Sequence, residues 1–483
     1  MRLGILFSLA VLSCAATGQS TNHGGSRFDP KPWVEDFHQV LSEMSSHYAN
    51  LEWAVEERRM DLPRWRGETE GKLREADDAD GARKILDKFI AGFGDGHLEI
   101  EWPKNDAQPK PAVSTPGGLC ERLGYISHLH PGLDFSERAE FSLVDAPEAK
   151  LFPGGVLRLR NGAVLGVLRI GLFSEHSYPE VCEQAVGESH LAENAACDEQ
   201  CEDHIQLATA NLLTAALVKR AEELRAAGAA TLLIDITSNG GGSDWADVPP
   251  RVLSSVQLHD SKIGFIQHEH WTKDLQDRLR DVQTDIKNHA GPQLLLAAAA
   301  SKLEEAINDS KQPCDTTAVW ETGKLPCSML VKNLLFTSGI LDYAKPGSFA
   351  LLESRTELFY PSRYTYAENP KALPLYVVVD RGTWSAAEYF AAVLQDNHAA
   401  TIVGEVTGGA GCGYTNGGIP ATLKNSGAQL KIPDCVRYRA DGSNEVNGIT
   451  PDVLLPWTGH DSGFQRVEKL LTVLELRKTA SAK

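Results

Sequence analysis

Beyond its first twenty residues the sequence has no long apolar run. Nothing there approaches the roughly 18 apolar residues that a membrane-spanning helix needs. Positive charge is also short: 47 Lys and Arg stand against 65 Asp and Glu, a formal net charge of −18. Such a surface repels phosphate backbones, so nucleic acid is not an expected partner. The most glycine-rich turn, Asn239-Gly240-Gly241-Gly242, is followed by neither Gly-Lys-Ser/Thr nor G-x-G-x-x-G, which weakens a phosphate-loop reading. There is no internal repeat, and low complexity is confined to an alanine-rich stretch after Leu296. What is present is ordinary for a globular chain: 42% hydrophobic and 23% charged residues over 483 positions, enough for about two to four structural units and a sizeable core.

The first residues carry one basic side chain, Arg2, then an apolar run from Leu3 to Leu12, then small residues. That is the order of a secretory signal, and about ten apolar residues are too few to span a bilayer. Residues 1–18 are expected to be removed near Gly18, which sends the chain to a periplasmic or extracellular location. The alternative is processing before Cys14, since Val11-Leu12-Ser13-Cys14 is a loose lipobox that leads to a lipid anchor. Eight further cysteines follow: Cys120, Cys182, Cys197, Cys201, Cys314, Cys327, Cys412 and Cys435. An even number in an exported chain points to disulfides, although eight thiols allow on the order of 100 connectivities. The local pairs Cys314–Cys327 and Cys412–Cys435 are the expected ones. A metal site on Cys197-x-x-x-Cys201 with His204 is the alternative for those residues, but it lacks a second matched pair.

Polar, glycine-rich residues 20–31 read as a linker. Trp33, Phe37, Val40, Leu41, Met44 and Tyr48 recur at helical spacing, as do Ile85, Leu86, Phe89, Ile90 and Phe93. An N-terminal helical domain over 30–104 is expected, with His97 just past its last turn. Residues 105–163 read as a small β-rich module. The pattern then alternates: strands at Leu165–Ile170, Thr231–Ile236, Leu375–Val379 and Thr401–Val403, helices at Leu207–Leu224 and Ala386–Leu394. Alternation of this kind implies crossover units and a largely parallel sheet, an α/β core over 164–259 and 346–460. A helical insertion is expected at 260–345, and an amphipathic helix, Val467–Leu476, with a tail at 461–483.

Ser385 stands between a strand and a helix, in Thr383-Trp384-Ser385-Ala386-Ala387-Glu388. With Glu388 it forms an S-x-x-E capping box, which needs no catalytic explanation. The same place is the carboxyl edge of a parallel sheet, where α/β folds hold ligands, and the Ala386 N–H at the positive end of the helix faces outward. A serine hydroxyl attacks only when a base takes its proton. His97, in Asp95-Gly96-His97, has the pKa for that task, although a lone histidine in a turn is usually a solvated surface group. The three glycines after Asn239 form a turn in any reading, and they also let a backbone approach a ligand closely. Glu445, taken alone, is a turn residue.

In order, Asp95-Gly96-His97, Asn239-Gly-Gly-Gly242, Ser385-Ala-Ala-Glu388, Gly404-Glu405-Val-Thr407-Gly408 and Gly448-Ile-Thr-Pro451-Asp452 resemble the tail-specific (C-terminal processing) serine peptidases. The resemblance spans the segments around 33–100, 165–242 and 373–457. It implies a crotonase-like ββα-spiral core and hydrolysis of peptide or protein substrates without a cofactor or metal. One branch of that family uses a lysine base in a Gly-Lys-Gly, but here the position is Ala410. The other branch, typified by the tricorn core, uses histidine, serine and glutamate. By that resemblance Ser385 is the nucleophile, His97 the general base, Glu445 the acid that orients it, and Ala386 with Gly242 (Gly241 second) the oxyanion donors. No clear carboxylate-binding PDZ loop is visible in 105–163. The alternative reading is a non-catalytic carrier of hydrophobic ligands or peptides on the same fold.

Overall fold

The computed structural model describes residues 28–103, 117–192, 194–312, 314–415 and 418–481. The signal, the Cys14 alternative and most of the linker therefore lie outside the described residues. At the centre is a seven-stranded sheet. Its order is Val453–Leu454, Ala400–Gly404, Leu375–Val379, Thr231–Asp235, Val164–Arg169, Gly154–Arg158 and Phe141–Leu143. The first five of these pair in parallel, and the last two join antiparallel.

Strand alternation sends side chains to two different layers. Leu232, Ile234, Val377 and Val379 pack under the helices Glu199–Ala226 and Ala386–Asp396. Leu233, Val378 and Val403 face the other way, onto Val467, Leu470 and Leu474 of the helix Gly463–Ser481. Strands buried on both faces explain why these segments read as continuous apolar runs in the sequence.

Among its described residues, the segment expected to be a separate β-rich module forms no sheet of its own. Its strands Phe141–Leu143 and Gly154–Arg158 extend the central sheet. The insertion holds a hairpin of helices, Glu269–Asn288 and Gln293–Ser310, and also two strands, Lys262–Ile266 and Leu330–Phe336, in a three-stranded antiparallel sheet with Cys435–Arg437. Nor is the insertion independent. Its Trp271, Leu275, Leu303 and Trp320 share one hydrophobic cluster with Phe37, Met44, Phe89 and Phe93 of the N-terminal helices. The protein thus has two main apolar bodies, one around the central sheet and one joining the N-terminal helices to the insertion.

All eight cysteines past the leader are paired: Cys120–Cys182, Cys197–Cys201, Cys314–Cys327 and Cys412–Cys435. Both expected local pairs are present. The metal alternative at Cys197 and Cys201 is overturned, because their thiols are consumed by a disulfide, and His204 instead shares a hydrogen bond with Ser189 at 3.2 Å.

Candidate active site

Because Thr231–Asp235, Leu375–Val379 and Ala400–Gly404 run parallel, the loops at their carboxyl ends emerge at one edge. There they are tied together by backbone. Trp384 N–H donates to the Asn239 carbonyl at 2.9 Å, and Gly408 N–H to the Thr383 carbonyl at 3.0 Å. Thr407 N–H reaches the Ile449 carbonyl at 3.2 Å, while its hydroxyl oxygen accepts from Ile449 N–H at 2.7 Å. The motifs scattered through the sequence therefore meet in space.

Ser385 begins the helix Ala386–Asp396 at φ 54°, ψ −118°. Positive φ on a residue with a Cβ costs of order 1–3 kcal/mol and persists only where its surroundings hold it. The holding group is Glu388. Its buried carboxylate accepts from Ser385 N–H at 2.9 Å, from Gly409 and Ala410 N–H at 2.8 Å each, and from the Thr407 hydroxyl at 2.5 Å. The capping glutamate is thus also the clamp between the serine and the next loop. Burial, and then the charge of Glu445, raises its pKa. Gly241 presses close on the serine: a Cβ there would lie 2.8 Å from the Ser385 Cβ and 2.9 Å from Ala386 N.

The Asp95-Gly96-His97 turn docks on this loop. Gly96 N–H donates to the Gly409 carbonyl at 3.3 Å, and a Cβ on Gly96 would strike the Trp384 ring at 2.8 Å. His97 Nδ1 lies 2.5 Å from the Ala410 carbonyl oxygen, which can only accept. Nδ1 must then carry the proton, and Nε2 keeps its lone pair. Burial lowers the His97 pKa, against the opposing pull of the Ala410 carbonyl. Gly413 (φ 80°) covers the ring, and its Cβ position is 3.0–3.1 Å from three ring atoms. No hydrogen bond joins His97 to Ser385 among the described residues, and catalytic hydrogen bonds are often long before substrate binds.

Glu445 sits elsewhere than the resemblance implies. Its carboxylate is 1% exposed and grips Arg437, with both oxygens 3.0 Å from Nε. It makes no hydrogen bond to His97 among the described residues; the backbone carbonyl of Ala410 occupies that role. Arg437 in turn donates through Nη2 to the Ser385 carbonyl at 3.1 Å and the Gly411 carbonyl at 2.7 Å. Glu445 therefore reaches the serine and the histidine's loop through Arg437. A side-chain chain also links the two turns: Asn444 Nδ2 donates to Asn50 Oδ1 at 2.8 Å, and Asn50 Nδ2 to Asp95 Oδ2 at 2.7 Å.

Of the three oxyanion candidates, the Gly241 N–H is committed to Asn239 Oδ1 at 2.9 Å. The N–H groups of Gly242 and Ala386 have no acceptor among the described residues, and Gly242 is exposed. Sequence reasoning missed the Ala410 carbonyl and Arg437. A backbone acceptor leaves no residue-type signature, and an arginine in a short strand announces nothing by itself.

The structure is similar to that of mature CPAF, with a TM-score of 0.54 at 15% identity over 92% of this chain and 96% of that one. The complex of mature CPAF with lactacystin gives 0.53 at 14% identity, over 92% and 97% of the two chains. At such identities these likenesses concern the fold. An uncharacterized protein of Chlamydia muridarum (strain MoPn / Nigg) is 31% identical over 108 residues, 21% of this chain and 18% of that relative. The chain therefore spans less than a fifth of that relative's length. Residues 204–455 match the family model Peptidase_S41, described as peptidase family S41. That match takes in the glycine-rich turn, the strained serine, its glutamate clamp and the Arg437–Glu445 pair, and because it covers just over half of the sequence, the protein belongs to peptidase family S41.

Proposed function

We propose that the protein hydrolyses peptide bonds of peptide or protein substrates through an acyl-enzyme on Ser385, with His97 as general base. The observation that carries this reading is the His97–Ala410 hydrogen bond, which fixes the tautomer whose free Nε2 can take a proton. In the forward step Nε2 accepts the Ser385 proton as Oγ bonds to the substrate carbonyl carbon. The tetrahedral oxyanion is held by the N–H groups of Ala386 and Gly242. The C–N bond then breaks as the imidazolium returns its proton to the leaving amine, and water, activated the same way, releases the acid. Each oxyanion donor contributes about 3 kcal/mol by analogy with mapped serine hydrolases. Glu445 acts at one remove: it keeps Arg437 in place, and Arg437 anchors the carbonyls of Ser385 and Gly411. Four disulfides support an exported protein, since such bonds persist in oxidising compartments.

The deciding experiment is labelling of the folded protein by a fluorophosphonate. Wild type is expected to be labelled on Ser385, with Ser385→Ala unlabelled and His97→Ala strongly slowed. Folded wild type that stays unlabelled at about pH 8, where His97 is neutral, would remove the proposal.

A further inference from the structure

A cavity of about 430 Å³ opens beside the amino end of the Ala386–Asp396 helix, bounded by Ala386, Tyr389, Ser243, Asp244, Ala246 and Asp247. Its role is defined by its place beside the oxyanion donors, and therefore rests on Ser385 being the nucleophile of a peptidase. A carbonyl oxygen held between Gly242 and Ala386 belongs to the residue on the acyl side of the scissile bond. Ser243 to Asp247 continue the chain from Gly242, and Tyr389 lies one helical turn beyond Ala386, so these residues bound the space next to that carbonyl. Across the cavity the insertion supplies an apolar wall of Ile263, Trp271, Leu335 and Phe336.

The charges in this cavity do not balance. Three arginines line it, and each is committed: Arg437 to Glu445, Arg278 to Asp274 at 2.8 Å, and Arg363 to Asp203 and the Tyr360 hydroxyl. Asp244 and Asp247 line it too, and neither has an ion-pair partner among the described residues. Asp247 is only 9% exposed. The groups beneath it are shared with Asp260: the Tyr389 hydroxyl donates to Asp260 at 2.6 Å, and Arg251, salt-bridged to that carboxylate, also donates to the Asp247 backbone carbonyl at 3.1 Å and favours the Asp247 anion by its charge. A carboxyl this deep, with the nearby Arg251 salt-bridged to Asp260 instead, is costly to keep ionised. Burial and the Asp260 charge accordingly push it up to about 8.

We propose that this cavity receives the acyl-side residue of the substrate and takes a lysine or arginine there. The alkyl stem lies along Ile263, Trp271, Leu335 and Phe336, and the cation meets Asp247 with Asp244 at the rim. Long basic side chains suit such a site because the stem is apolar while the head is charged.

The test is a panel of peptides identical except for the residue before the cut: Lys, Arg, norleucine, Leu and Glu. The full chain is assayed at about pH 8.5, which keeps Asp247 largely ionised. Lys and Arg are expected to exceed norleucine in kcat/KM by at least about 10-fold, and in Asp247→Asn that ratio falls by roughly 30-fold, as for loss of one partner of a buried charged pair. Hexylamine and butylguanidine are expected to inhibit the wild type competitively, a readout that stands if Asp247→Asn does not fold. Preference for norleucine or Leu, or absence of inhibition by both cations, while a fluorophosphonate still labels Ser385, overturns the basic pocket and leaves the peptidase reading intact. No cleavage of any peptide together with no labelling overturns both.

Discussion

Glu388 and Ala410 are joined by a 2.8 Å hydrogen bond from the Ala410 N–H to the Glu388 carboxylate. The same carboxylate holds the Ser385 N–H, and the Ala410 carbonyl holds His97. One buried group thus fixes the positions of both the serine and the ring. Glu388→Gln keeps one acceptor oxygen and the shape but loses the charge and half of the accepting capacity. A cost of about 2–3 kcal/mol is expected from hydrogen bonds to a charged group, read by denaturant unfolding. The labelling rate of Ser385 should fall by more than the unfolded fraction accounts for. Unchanged labelling would show that the clamp is structural only.

With His97 as the proposed base, its lowered pKa would set the acid limit of the reaction. A base works when neutral, and burial keeps the ring neutral to lower pH than its ordinary value of 6.5. The labelling rate should therefore fall to half its maximum only below pH 6.5. A half-maximal point above about pH 7 would contradict the buried, Ala410-bound ring.

Asp95, which accepts the His97 N–H at 3.0 Å, is pushed by burial to about 6. A raised carboxyl binds its proton in the folded state where the unfolded chain has released it. Its contribution to stability is thus fully present below 3.8 and is lost as pH rises through about 6. Asp95→Asn should flatten that part of the stability profile, measured as melting temperature against pH. A slope identical to wild type would mean that Asp95 titrates as an exposed carboxylate.

Arg437 and Glu445 are 12% and 1% exposed at their side chains. Breaking a buried pair from one side strands a charge, so Glu445→Gln is expected to cost about 3–5 kcal/mol. Replacing both, as Arg437→Met with Glu445→Leu, should recover part of that stability. It should not recover labelling, because the ties to the Ser385 and Gly411 carbonyls are gone. Recovery of both would show that the pair serves only the core.

Cys412–Cys435 closes the loop that contains Gly413, the cover of the His97 ring. Its removal by a double alanine substitution should cost about 3 kcal/mol for a loop of this size. Removal of Cys314–Cys327, which lies in the insertion, serves as the control. Labelling at a temperature where both variants are folded should drop for the first and hold for the second. Equal behaviour would detach this disulfide from the site.

Much of the core was legible because its signals are local. Leu375–Val379 begins and ends where the apolar run does, and Ser385 with Glu388 announced a helix start. The disulfides Cys314–Cys327 and Cys412–Cys435 are short-range and were readable for that reason. Cys120–Cys182 spans 62 residues and left no local trace. Phe141–Leu143 was hidden for a related reason: a three-residue edge strand has too little pattern to declare which sheet it joins. At the site the residue types were visible but their wiring was not. A carboxylate beside a histidine is the simplest guess from sequence, whereas the fold spends Glu445 on Arg437 and gives the imidazole a peptide carbonyl.

The division of the apolar interior into two bodies has a mechanical consequence. His97 is carried on the side of the N-terminal helices and the insertion, whereas Ser385 rides on the central sheet. Sliding at that seam would break the Gly96–Gly409 and His97–Ala410 hydrogen bonds that cross it and part the imidazole from the hydroxyl. On warming, the chemistry is therefore expected to fade before the main calorimetric transition begins.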